Sequence, residues 1–288
     1  MADSQYIQWF PGHMTKTRRQ MEKDIDLVDA VVEIIDARIP LSSRNPDLPG
    51  IVGKKPLIIL LNKSDMADSS ATKEWIEFFK TQNITALEVD CKTGAGLEHF
   101  KNAVRLVLAD KLEAYKTKGM AGRALRVMVA GIPNVGKSTF VNRLAGIKKA
   151  NVENRPGVTR SNQWYMVDKQ LELLDTPGIL WPKFSNTTIG EHLAFTGAIK
   201  DKVVDVELLA VRLIEILCKR YPSLLTSRYG ELNLEEEPYD ILTQIAINRS
   251  FKIRGGEADT VRASNILLEE FRNKKIGAIT LERVQDFA

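Results

Sequence analysis

Residues Gly131-Ile132-Pro133-Asn134-Val135-Gly136-Lys137-Ser138 fit the spacing G-x-x-x-x-G-K-[ST]. Average residue usage produces that pattern by chance in about one per cent of chains this long. Its glycines let backbone amides turn inward around phosphates, Lys137 brings a cation to the outer phosphates, and the Ser138 hydroxyl is placed to ligate Mg²⁺. Val135 and Thr139 complete the stretch expected to touch a nucleotide. A second signature, Asn62-Lys63-Ser64-Asp65, lies upstream. A carboxylate at Asp65 can accept from the N1 proton and the exocyclic amine of guanine together. Adenine has no donor at N1, and a carboxylate left facing a lone pair costs on the order of several kcal/mol, so the motif favours GTP and GDP over ATP. Asn62 is expected to brace the loop and Lys63 to lay its aliphatic stem over the base. Taken alone, N-K-x-D is also a helix-cap pattern; its position directly after an apolar run gives it the base-reading sense.

Three further segments carry chemistry. Asp90-Cys91-Lys92 sits where a second guanine contact is expected, through the backbone at Cys91 and a stacked Lys92. Asp175-Thr176-Pro177-Gly178 fits D-x-x-G, in which Asp175 reaches Mg²⁺ through water and the Gly178 amide senses the γ-phosphate. Thr159, within Arg155-Pro156-Gly157-Val158-Thr159, is the candidate switch threonine closing on Mg²⁺; an ordinary threonine in a Pro-Gly turn is the alternative. In ordinary GTPases the phosphate loop comes first and the base-reading motif last. Here the order is inverted, so the pattern is that of a circularly permuted GTPase.

These loops need a scaffold. Short aliphatic and β-branched runs alternate with helix-length amphipathic stretches, the pattern of βαβ units around a mostly parallel sheet with helices on both faces. Six strands are expected, at Ala30 to Asp36, Leu57 to Leu61, Ala86 to Val89, Arg126 to Ala130, Gln163 to Val167 and Leu171 to Leu174. Helices are expected at Ser70 to Lys80, Gly96 to Leu108 and Lys137 to Ala145, with Asp110 to Ala124 as the connector that permutation requires. From Trp181 onward strand signals stop, and amphipathic helices follow at Val206 to Lys219, Tyr239 to Asn248 and Glu257 to Arg272. The expected division is a nucleotide domain over 1–180, opening on a basic segment at 1–25, and a small all-helical domain over 181–288.

Trp9-Phe10-Pro11-Gly12-His13-Met14, Asp36-Ala37-Arg38-Ile39-Pro40 and the order N-K-x-D, phosphate loop, P-G-x-T, D-T-P-G together resemble the YlqF/RbgA family, the ribosome biogenesis GTPase A group. The resemblance runs from the N-terminus into the helical tail. It implies a GTPase that assists late assembly of the large (50S) ribosomal subunit, with rRNA and ribosomal proteins as partners. One departure from Ras-like proteins concerns catalysis: Ile179 follows Gly178, where they carry the glutamine that orients water. Slow intrinsic hydrolysis is expected, completed by a group from elsewhere or from a partner. His13, in a Pro-Gly loop, is the candidate catalytic residue; a structural or RNA-contacting histidine is the alternative, and His99 and His192 read as helix-surface residues. Asn134 resembles the asparagine of potassium-activated GTPases, where K⁺ supplies the charge of an arginine finger.

Composition bounds the rest. The 288 residues are 44% hydrophobic and 27% charged, with room for a nucleotide domain and a smaller second one. Cys91 and Cys218 stand far apart, so neither a disulfide framework nor a zinc cluster is available. No apolar run reaches the length of a membrane span, and a monomeric cytoplasmic protein is expected. Residues 1 to 200 hold 28 Lys and Arg against 22 Asp and Glu, whereas residues 201 to 288 hold 13 against 15. The basic clusters around Lys16 to Lys23 and Lys111 to Arg126 suit a polyanion, with solvated helix faces as the alternative. Arg254, Arg262, Arg272, Lys274 and Lys275 are candidate phosphate contacts on the helical tail.

Overall fold

The structure, a computed structural model, describes residues 13–120, 122–146, 163–181, 186–199 and 205–287, with side chains from residue 18 onward. Among these, one unit holds 13–181 and 282–287, and the other holds 186–281. The division differs from the expected one at its far end, because residues 282–287 pack with the nucleotide unit.

In that unit β1 (Ala30–Asp36), β2 (Leu57–Asn62), β3 (Thr85–Glu88), β4 (Leu125–Ala130), β5 (Gln163–Asp168) and β6 (Leu171–Asp175) form one sheet in the order β3-β2-β1-β4-β6-β5. Every pairing is parallel except that of β5 with β6. All seven residues of β1 are buried, as a parallel strand covered on both faces requires. Each expected strand is found to within one residue at either end. The sheet grows outward from β1 in one direction and from β4 in the other. The crevice at such a reversal, outside the carboxyl ends of the strands, is where open α/β sheets bind ligands.

Six helices flank the sheet: α1 (His13–Asp24), α2 (Leu48–Val52), α3 (Ser69–Thr81), α4 (Phe100–Val107), α5 (Ala109–Thr117) and α6 (Lys137–Ala145). Asp68 starts α3 by accepting from the Ser70 and Ala71 amides, and the helix buries Trp75 and Phe79. The expected helix Gly96 to Leu108 is a 3₁₀ turn, Leu97–His99, followed by α4. The expected connector is largely helix α5, because Ala, Leu, Glu and Lys are all good helix formers. It is docked, not loose: the Tyr115 hydroxyl lies 3.3 Å from Asp29 Oδ1, Lys111 pairs with Asp29, and the Arg123 guanidinium stacks on the Tyr115 ring.

The second unit contains α7 (Thr187–Phe195), α8 (Val206–Arg220), α9 (Pro222–Tyr229), α10 (Pro238–Asn248) and α11 (Thr260–Arg272). Leu213, Leu217, Ile241, Ile245, Leu267 and Phe271 are buried at helical spacing, each burial contributing about 1.5–3 kcal/mol. Two expectations are corrected here. Arg272 is no phosphate contact: its Nε and Nη2 donate to the Phe195 and Ala194 carbonyls at 2.9 and 2.7 Å, satisfying the end of α7. His192 is buried at 5% exposure, not a surface residue, since α7 packs on α8 and α11. His99 is exposed, as are Arg254, Arg262, Lys274 and Lys275, with Arg262 stacked 4.5 Å above Phe251. Among the described residues no helix is long and apolar enough to cross a membrane.

Candidate functional site

Each nucleotide motif among the described residues leaves the carboxyl end of a strand that pairs in parallel with a neighbour. Asp36 ends β1, Asn62 ends β2, Asp90 follows β3, Gly131 follows β4 and Asp175 ends β6. Asp36 and Asn62 are register partners on neighbouring strands, which sets the base-reading loop beside the Asp36-Ala37-Arg38 turn.

Asn62 joins the loops. Its Nδ2 donates to the Val135 carbonyl of the phosphate loop at 2.6 Å, and its Oδ1 accepts from the Cys91 amide at 2.9 Å. One buried side chain thus fixes the distance between the phosphate loop, the N-K-S-D loop and the loop that follows β3. Gly136 makes this approach feasible: its φ is +101°, and a Cβ there would stand 2.3 Å from Asn62 Nδ2. A further tie runs from Arg143 on α6, whose Nη2 donates to the Lys92 carbonyl at 2.6 Å. With its amide held by Asn62 and its thiol buried and pushed up to about 12 by that burial, Cys91 belongs to the brace. The Lys92 amide is held by Asp90 Oδ1 at 2.8 Å.

Lys63 adopts a left-handed conformation at φ 61°, and its Nζ donates to Asp36 Oδ2 at 2.9 Å. Arg38 Nε and Nη2 reach the same carboxylate at 2.9 and 2.8 Å. Burial alone would raise the Asp36 pKa, but the two cations outweigh it and hold the carboxyl well below the usual range. Asp65 is exposed one turn farther on. The Asp36 pair with Lys63 was not foreseen, although D-x-R directly after a strand was the available signal.

The phosphate loop meets D-T-P-G on its other side. Thr176 Oγ1 donates to the Val129 carbonyl at 2.7 Å, pinning that segment to β4. Gly178 lies so close that a Cβ there would stand 2.8 Å from both Lys137 Nζ and Pro133 N. Lys137 is buried, and its Nζ donates to the Ile132 carbonyl at 2.7 Å. Burial depresses its pKa to about 8, with Asp175 pulling the other way. Burial likewise raises Asp175 to about 6 against the attraction of Lys137. Asp175 Oδ1 is buried and has no hydrogen-bond partner among the described residues, so one acceptor is left for a group that those residues do not supply. Ile179, Leu180 and Trp181 are buried. Thr159 and the side chain of His13, which opens α1, fall outside the described residues.

The carboxyl edge of the sheet therefore brings together the phosphate-loop segment, the N-K-S-D loop and the Asp175 carboxylate. Residues 126–241 match the family described as 50S ribosome-binding GTPase. The chain is 43% identical to ribosome biogenesis GTPase A of Bacillus cereus over 98% of its length and 95% of that protein. It is 30% identical to the protein of the same name from Thermotoga maritima, covering 97% of this chain and 95% of that one. The GDP-bound structure of YlqF from T. maritima aligns with a TM-score of 0.63 at 28% identity, over 93% of this chain and all of that one. The GNP-bound structure aligns at 0.62 and 27%, covering 93% and 98%.

Proposed function

The chain belongs to the ribosome biogenesis GTPase A family, the YlqF/RbgA group, as a GTP-hydrolysing enzyme of ribosome biogenesis with a circularly permuted fold, and we propose that it serves the large ribosomal subunit through a GTP-gated cycle. The observation that carries the nucleotide reading is the Asn62 bridge, which ties the base-reading and phosphate loops into one rigid frame despite their inverted order. Asp65 reads guanine, Lys63 carries its stem along the base while Asp36 holds its tip, and Lys137 with the phosphate-loop amides, Thr139 included, holds the phosphates.

Ser138, Thr159 and Asp175, the last through water, would hold Mg²⁺; the unpartnered Asp175 Oδ1 fits that role. When bound, Mg²⁺ would neutralise charge on the outer phosphate oxygens. The raised Asp175 pKa makes this pH-dependent. Its folded value lies above its ordinary one, so folding favours the protonated form, and the stability of the nucleotide-free protein falls as pH rises towards about 6. Only the deprotonated form serves a metal-bound water, so Mg²⁺-dependent GDP binding is expected to weaken by up to about tenfold per pH unit below that value. Calorimetric titration from pH 5 to 8 checks this; an Asp175→Asn variant that keeps the same pH slope refutes the assignment.

Catalysis needs a group besides Ile179, which is buried and apolar. His13 is the proposed partner residue, with K⁺ beside Asn134 adding charge at the transferring phosphoryl. GTP would order Thr159 and Gly178, and hydrolysis would release the factor. The exit of D-T-P-G leads along the chain into the helical unit, a covalent route for that signal. The test is GTP turnover in K⁺ and Na⁺ buffers, with and without large ribosomal subunits. Stimulation of at least about a hundredfold is expected, since a partner-completed GTPase site commonly gains 10³–10⁵. Tight GTP binding without stimulation would turn the reading into that of a passive binding factor, and equal rates in K⁺ and Na⁺ would remove the potassium role. Exposed Arg254, Arg262, Lys274 and Lys275 are the proposed phosphate contacts on RNA; binding insensitive to salt between about 50 and 200 mM would exclude them.

A further inference from the structure

Residues 282–287 pack with the nucleotide unit, and the side chains of Glu282 and Arg283 make contacts on either side of the base-reading loop. Glu282 is 1% exposed. Its carboxylate accepts from the Leu41 amide at 2.6 Å and the Ser42 amide at 3.1 Å, and its carbonyl accepts from Trp75 Nε1 at 3.0 Å. Arg283 Nη2 donates to Asp68 Oδ2 at 2.6 Å, while Nη1 donates to Ser70 Oγ at 3.0 Å and Glu74 Oε1 at 3.1 Å. Val284 packs against the core that contains Ile35, Leu61, Ala67 and Trp75.

On the first flank, Leu41 and Ser42 belong to the turn that follows β1. Ser43 Oγ closes it, accepting from the Asp36 amide at 2.9 Å and donating to the Ile39 carbonyl at 2.7 Å. Asp36 in turn fixes Lys63. On the second flank, Asp68 lies three residues past Asp65 and caps α3, so the ion pair with Arg283 sets the exit of the base-reading loop. A buried carboxylate is tolerated only where donors satisfy it, and here the donors are backbone amides of the turn that carries Asp36. Two adjacent residues of opposite charge thus grip the loop from both ends.

We propose that residues 282–287 are a positioning strap for the guanine-reading loop, Glu282 acting on the Lys63 side and Arg283 on the Asp65 side, and that the strap sharpens recognition of the guanine 2-amino group. The inference rests on the base-reading role given to Asp65 above. A strap of merely structural value would weaken all nucleotides alike. A positioning strap weakens most the ligand whose recognition needs both Asp65 oxygens.

Inosine diphosphate lacks the 2-amino group and keeps the N1 proton, so the ratio of GDP to IDP affinity reads that contact. Equilibrium binding of both ligands is measured on the full chain for wild type, Asp65→Ala, Glu282→Gln, Arg283→Ala and Arg283→Lys. Loss of a positioning contact at one remove is expected to weaken GDP binding about tenfold and IDP binding about twofold in Glu282→Gln and Arg283→Ala. Arg283→Lys, which keeps one charged donor, should recover most of the ratio. Arg283 is only partly buried, and Arg283→Lys keeps its charge, so its variants decide the matter even where Glu282→Gln does not fold. A wild-type GDP/IDP ratio in Arg283→Ala overturns the strap while leaving the base-reading role standing. No discrimination by wild type, or discrimination that survives Asp65→Ala, overturns both.

Discussion

Asp65→Asn is expected to weaken GDP binding about a hundredfold and to transfer preference to xanthosine diphosphate. Guanine offers two donors, the N1 proton and the 2-amino group, to the two oxygens of a carboxylate. An asparagine keeps one acceptor and substitutes a donor for the other, which faces the guanine amine with another amine. Xanthine carries an oxo group at that position and retains the N1 proton, so its edge matches the amide. Asp65 is exposed, and the brace of the loop runs through Asn62, so the variant leaves the frame intact. Competition binding with GDP, XDP and ADP reads the result. Unchanged GDP affinity would remove Asp65 from the site and with it the guanine assignment.

The second large effect lies at the phosphates. Lys137→Met should lower GTP turnover by at least about a thousandfold, the scale of losing a charged group aimed at the transition state. In the structure this ammonium is buried on the Ile132 carbonyl, with a pKa pushed down to about 8. A lowered lysine pKa means that the unfolded chain binds more protons than the folded one between about 8 and the ordinary lysine value. Stability of the nucleotide-free protein therefore rises with pH across that window, and the methionine variant should lack that rise. Thermal melts from pH 7 to 10 without nucleotide, beside turnover at neutral pH, separate the two consequences. Turnover within tenfold of wild type would exclude Lys137 from phosphate binding.

The strands were legible because apolar β-branched runs such as Ala30 to Asp36 and Leu125 to Ala130 admit little else. The nucleotide motifs were legible because phosphate chemistry imposes spacing on the chain. What the sequence concealed were relations between distant residues. Helix α5 reads as a linker because of its lysines and the following Gly119 and Gly122, and only the Asp29 cluster beneath Tyr115 explains its docking. His192 reads as a surface residue because its helix is short and weakly patterned, yet its neighbours bury it. Arg272 reads as a phosphate contact until the end of α7 claims it. The role of Glu282 has no local signature at all, because its partners lie more than two hundred positions away.

The return of residues 282–287 also changes what counts as a piece of this protein. In chain order the helical unit is an insertion, so a fragment cut at residue 180 retains every nucleotide motif but is not the nucleotide unit. Such a fragment exposes the face of Trp75, leaves its indole N–H and the Leu41 and Ser42 amides without the acceptors that Glu282 provides, and frees Asp68 from Arg283. Dissection at the apparent boundary would yield a weakened site and assign the deficit to the missing helices. A faithful excision removes 186–281 and keeps the returning segment joined to the nucleotide unit.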